Sequence, residues 1–369
     1  MSGVDAAALV IALIWIDLLV GRGFFWWTRE ARLASGPASP RRIAVVIPAR
    51  NEALLVGKAV ASLAAQDHAG PFEIFVVDDH STDRTAEAAS GAHVVAAGPL
   101  PEGWTGKLWA VSEGVRAAAA FEADYFLFTD ADVIHTPANL SGLVAHAEAG
   151  GYDLASLMVE LRCETLAERA LIPAFVFFFL KLYPPRWTAS TKLSTAGAAG
   201  GCMLVRRDAL ERIGGIATIR GELIDDCALA KAVKRGGGRV WLGLTSQARS
   251  IRQYSSFAEV GRMISRTAFT QLGYSPLLLA GTVLGMSAVY LLPPVLALAF
   301  RSWLGALAWL MMMAAYAPVL RLYRRSLAWA PGLPLVALFY TAATVASAVQ
   351  YWMGRGGAWK GRMQAGRRV

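Results

Sequence analysis

A chain of 369 residues that is 55% hydrophobic and only 17% charged, with mean hydropathy +0.42, is too apolar for an ordinary soluble enzyme and must meet a membrane. Its net charge of +9 lies largely on arginines flanking apolar segments and on the tail; anionic headgroups explain this better than nucleic acid does, because no basic stripe is interleaved with aromatics. Three cysteines (Cys163, Cys202, Cys227), an odd number without C-x-x-C spacing, point to buried thiols in a reducing compartment.

In chain order, residues 4–20 are apolar apart from Asp5 and Asp17, and Arg22, Arg29, Arg32, Arg41 and Arg42 follow. A cleaved signal peptide carries its positive charge ahead of the apolar run, so residues 1–21 read as an uncleaved anchor and 22–42 as its basic, cytoplasmic linker. Within that linker, residues 35–40 (SGPASP) supply the hinge into a domain.

From 43 to 250 short β-branched runs alternate with alanine-rich helical stretches, the pattern of an α/β domain with a mostly parallel sheet. Strands are expected at 43–47, 72–77, 93–97 and 125–128, and helices at 53–66, 84–90 and 106–121. In such a sheet ligands sit beyond the carboxyl ends of the strands. Asn51 and Glu52 of the loop PARNE, the pair Asp78-Asp79, and Asp130 with Asp132 would gather there. No G-x-G-x-x-G is present, so a dinucleotide site has no support.

Residues 166–183 (LAERALIPAFVFFFLKLY) are too short, and too charged at their margins, to span a bilayer. A helix in the membrane interface is expected, with a core helix as the plainer alternative. A second interfacial segment is expected at 251–275. From 277 to 320 Arg301 is the only charge, room for two spans, and 333–353 makes a third. Three spans would put Arg321, Arg324 and Arg325 opposite the basic tail at 354–369 (Arg355, Lys360, Arg362, Arg367, Arg368), against the positive-inside tendency. One stretch is therefore expected to be re-entrant or interfacial, and Pro293-Pro294 marks the first as the one to break.

The chemistry centres on FLFTDADV. Alternate strand residues face one way, so Asp130 and Asp132 can share a cation. Hard oxygen ligands suit Mg2+ or Mn2+ and leave positions for a nucleotide diphosphate, although a solvated strand-end loop would look the same. One carboxylate of the Asp78-Asp79 pair can accept the imide N–H of a pyrimidine, while Ser81 and Asp83 suit helix capping. Lys107 follows the expected N-cap Thr105, where a cation opposes the helix dipole; it either meets a diphosphate at that N-terminus or faces solvent. Asp225 and Asp226 open another helix, a place acids favour anyway, but sugar transfer to a hydroxyl also needs a carboxylate free of metal as general base.

Taken together and in order, VIPARNE, VVDDHSTD, GWTGKLWA, FTDADV, AGGCMLVRRDALERIGG and LIDDCALA resemble the family 2 glycosyltransferases over residues 43–244. GWTGKLWA, the C-terminal apolar segments and the tail GRGGAWKGR resemble the hopanoid-associated, carotenoid and ceramide-type lipid enzymes, the first above all. The resemblance implies a Rossmann-like GT-A domain with an N-terminal anchor and C-terminal transmembrane helices, integral to the inner or plasma membrane and facing the cytoplasm. It implies inverting transfer from a UDP-sugar to a hydroxyl of a lipid acceptor. Asp79, with Asp78, would hold uracil, and Asn51 and Glu52 would belong to the same donor site. Asp130 and Asp132 would engage ribose and metal, and Asp226 would be the base, with Asp225 where Glu is usual. Arg266 matches the arginine of a Q-x-x-R-W motif and either touches diphosphate or faces headgroups. Met263 and Thr267 depart from that motif, which speaks against a processive polysaccharide synthase, and the joint survival of the acids speaks against a non-catalytic scaffold. His135 reads as a loop histidine. Oligomeric state is not legible.

Overall fold

The computed structural model describes residues 3–34 and 39–357; linker residues 35–38 and the tail from 358, with Lys360, Arg362, Arg367 and Arg368, lie outside the described residues. The chain forms two compact units. The α/β unit comprises Glu30–Arg162 and Trp187–Gln253. Its eight strands are β1 (Ile43–Ala49), β2 (Phe72–Asp78), β3 (His93–Ala96), β4 (Tyr125–Thr129), β5 (Val133–His135), β6 (Leu154–Glu160), β7 (Cys202–Arg206) and β8 (Val240–Ser250). They form one sheet in the order β3-β2-β1-β4-β7-β6-β8-β5. β1, β2, β3 and β4 are parallel, as the sequence leads one to expect. β7 runs antiparallel to both β4 and β6, and β5 runs antiparallel to β8.

All seven residues of β1 are buried, because helices cover both faces, which is why the central strands read as unbroken apolar runs. On one face Ile43, Val45 and Ile47 join Val56, Val60 and Leu63; on the other Ala44 and Val46 join Leu108 and Val111. The helix Gly106–Ala117 is capped by Thr105, whose hydroxyl accepts from Leu108 N. It tightens into a 3-10 turn at Ala118–Phe121 and ends on Glu122 in the left-handed conformation. It lies so close to β1 that a Cβ on Gly114 would fall 2.4 Å from Val46 Cγ1. Gly114→Ala is therefore expected to cost about 1–3 kcal/mol of stability by overpacking; an unchanged urea midpoint would mean that the strand gives way.

Among the described residues the helical unit contains four helices long and apolar enough to cross a membrane: Gly3–Val20, Pro276–Leu298, Trp303–Leu322 and Leu327–Trp352. They coincide with the expected anchor and the three C-terminal stretches. Pro293-Pro294 does not break the first of those three. A π turn at Ser287–Leu291 precedes Leu292–Leu298, and the prolines enter its first turn, where the missing N–H and the fixed φ are tolerated. The helix Leu166–Leu182 starts on a capping box formed by Thr165 and Glu168. It is packed rather than free-lying: Phe177 meets Tyr316 at 5.4 Å and Phe178 meets Tyr340 at 4.9 Å, while the Tyr340 hydroxyl donates to Leu171 O.

Candidate active site

The carboxyl ends of β1, β2 and β4 lie side by side. Ala49 pairs in register with Asp78, and Asp79 N donates to Ala49 O at 2.8 Å. The chain leaves β1 through Asn51 at φ +52°, a value asparagine tolerates better than most residues. Asn51 N donates to Ser81 Oγ, Asn51 Oδ1 accepts from Thr82 N at 2.8 Å, and Ser81 Oγ donates to the Asp78 carboxylate. Asn51 and Asp78 thus tie the two exit loops together. The Asp79 carboxylate is fully buried, 3.8 Å from Arg50 and 3.2 Å from His80. Asp83 accepts from Thr85 N, a capping role, and from Ala53 N.

A second tie crosses from β8. Arg252 Nε donates to Asp132 Oδ2 at 2.8 Å while its Nη2 engages Glu52, and Ser250 Oγ also donates to Asp132 Oδ2. Arg252 escaped the sequence reading, since it stands alone after a strand and nothing nearby in sequence marks it. Arg266, the arginine singled out instead, caps the helix Phe257–Ser265 in the helical unit, so it is not among the groups that the α/β unit gathers.

The central group is Lys107. Its Nζ lies 3.1 Å from Asp130 Oδ1 and 3.1 Å from Asp225 Oδ2, so it does not simply face solvent. Asp226 adjoins this bridge: its Oδ2 accepts from Gly200 N at 2.9 Å and its Oδ1 from Cys227 N at 2.7 Å. A Cβ on Gly200 would stand 3.3 Å from Lys107 Nζ and 3.5 Å from Asp226 Oδ2. Lys107, Asp130, Gly200 and Asp225 line one cleft with Pro48 and Phe128.

Burial disfavours the Lys107 ammonium, but Asp130, Asp225 and Asp226 outweigh it and hold its pKa above the ordinary lysine range. Asp130 is raised by burial, with Asp132 and Asp225 adding to it against the pull of Lys107. Burial, then repulsion from Asp225, pushes Asp226 up to about 6, against Lys107 and the two backbone N–H groups.

Among the described residues no three His, Cys, Asp or Glu side chains cluster as a metal cage. Lys107 takes Oδ1 of Asp130, and Arg252 with Ser250 takes Oδ2 of Asp132, so each carboxylate presents a second oxygen. That donor set fits an ion held by one or two carboxylates and completed by substrate phosphates.

The sheet thus gathers acids and a lysine at its carboxyl edge, over a cleft. Residues 44–214, a little under half of the chain, match the model for Glycosyl transferase family 2, so this part of the chain is similar to that family. Its fold is that of a mannosyltransferase from Pyrobaculum calidifontis solved with GDP-mannose and Mn2+, 19% identical, covering 94% of this chain and 98% of that one at a TM-score of 0.53. Glucosyl-3-phosphoglycerate synthase from Mycobacterium tuberculosis, solved with Mn2+ and UDP-glucose, is 22% identical over 63% of this chain and 78% of its own, at a TM-score of 0.41. An uncharacterised protein of Methanocaldococcus jannaschii is 31% identical over 113 residues, 31% of this chain; the match spans only 44% of that relative's length.

Proposed function

We propose that this protein moves a single sugar, with inversion, from a UDP-sugar to a hydroxyl of a membrane lipid of hopanoid or isoprenoid type, on the cytoplasmic face of the inner membrane. The observation that carries the reading is the bridge from Lys107 to Asp130 and Asp225 beside a half-buried Asp226. Asp226, ionised above about pH 6, takes the acceptor proton as that oxygen attacks the anomeric carbon and the bond to UDP breaks. Lys107 offsets the charge developing on the leaving diphosphate. Asp79, with Asp78, receives uracil, and Asn51 and Glu52 shape the donor pocket. Asp130 and Asp132 would hold Mg2+ or Mn2+, which supplies Lewis-acid stabilisation of the diphosphate when bound. The Mn2+ in the complex of the Pyrobaculum enzyme supports that assignment, and the four apolar helices support an acceptor drawn from the bilayer.

The test is the full chain in liposomes made from a total membrane lipid extract and supplied with Mn2+ and a panel of UDP-sugars. One UDP-sugar should release UDP and add one sugar mass to one lipid. Asp132→Ala should abolish both that product and Mn2+-dependent UDP binding by calorimetry. Unchanged UDP affinity in the variant would remove the D-x-D from the donor site, and a ladder of longer products would favour a processive synthase.

A further inference from the structure

Behind the D-x-D lies a buried polar chain that the proposed chemistry leaves unused. Thr129, the last residue of β4, His135, the last of β5, and Asn139, the first of the helix Asn139–Gly150, are 1%, 6% and 0% exposed. Thr129 Oγ1 donates to Gly201 O at 2.7 Å. A hydroxyl has one proton, so at its 3.0 Å contact with His135 Nε2 Thr129 accepts, and the ring proton sits on Nε2. Burial alone lowers this imidazole to about 4, leaving the ring neutral and its Nδ1 an acceptor. Asn139 Nδ2, 3.0 Å away, fills it and turns its other proton toward Cys202 Sγ. Donor accounting therefore gives every bond a single direction, from Asn139 through His135 and Thr129 to a backbone carbonyl.

That carbonyl belongs to the turn before β7. A Cβ on Gly201 would lie 2.9 Å from Val159 Cγ2, so the turn is pressed against β6, and the neighbouring Gly200 gives its N–H to Asp226 Oδ2. We infer that Asn139, His135 and Thr129 are positioning residues that fix the Gly200–Gly201 turn and, through it, the orientation of the Asp226 carboxylate. The inference rests on Asp226 being the base. An N–H aimed at a carboxylate favours its charged form, so a slack turn would both misplace the base and make it harder to ionise.

The full chain with 15N-labelled histidine should show His135 at pH 7 as a neutral ring protonated on Nε2; an Nδ1–H or cationic ring would overturn the relay. In 13C-carboxyl NMR titrations, His135→Phe and Thr129→Val should move Asp226 upward by about one pH unit, the worth of one charge-assisted hydrogen bond. His135→Gln, whose amide can donate as Nε2 does, and Thr129→Ser should leave Asp226 as in the native chain. An unmoved Asp226 in the first two variants, or equal movement in all four, contradicts the proposal. None of these spectra needs turnover, so failure of the relay stays separate from failure of Asp226 as base, which the rate of Asp226→Asn decides.

Discussion

Replacing Asp226 with Asn is expected to lower turnover by about 10²-fold or more, the scale of a lost general base, while UDP affinity stays close to native. The asparagine oxygen can still accept from Gly200 N, so the turn survives and only proton acceptance is lost. The pH profile gives the same assignment a second reading. The carboxyl is pushed up to about 6 by burial and by Asp225, and a base works in its ionised form. The native rate should therefore hold above pH 6 and fall about tenfold per pH unit below it, as one proton occupies the group. The residual activity of the Asn variant should lack that limb. Near-normal turnover, or an acid limb that persists without the carboxyl, would strip Asp226 of its role.

Lys107→Met should weaken both stability and donor binding. It removes the cation 3.1 Å from Asp130 and Asp225 and leaves three carboxylates facing one another in the cleft. Breaking a fully buried pair costs about 3–5 kcal/mol; the lysine side chain here keeps 22% exposure, so about 2–3 kcal/mol is expected after solvent screening. The sign of the pH dependence follows. Without the cation the folded-state carboxyl pKa values lie above their unfolded values, so the variant should regain stability as pH falls toward the unfolded range near 4. Adding Asp225→Asn should restore most of the melting temperature but not the affinity for UDP, because the diphosphate still lacks its ammonium. Recovery of both together would make Lys107 a purely structural residue.

The half of the sheet from β1 to β4 is legible because it is parallel and its strands β1 and β4 are buried on both faces, so apolar runs end on polar exits at regular spacing. The other half is not. β7 is five residues long and pairs antiparallel with β4. β8 carries Thr245, Ser246 and Gln247 within its eleven residues, which hides it as a strand. The same limit governs the site. Asp130, Asp132, Asp225 and Asp226 stand out as pairs in sequence, and Lys107 stands out because it opposes a helix dipole. Arg252 does not, since its partners Asp132 and Glu52 are 120 and 200 residues away and only the closed sheet brings them within reach. Asp225 reads from sequence as a minor departure from Glu, yet folding makes it half of the lysine's anchorage.

The chain leaves the α/β unit after β6, contributes Cys163–Arg186 to the other unit, and returns ahead of β7. No single cut can therefore release a water-soluble enzyme. A fragment spanning 43–250 would still carry the greasy excursion LAERALIPAFVFFFLKL, stripped of Tyr316 and Tyr340, and would expose Phe177 and Phe178 to solvent as an adhesive stripe. Solubilising this enzyme means bridging residues 162 and 187 with a short polar loop as well as trimming both ends.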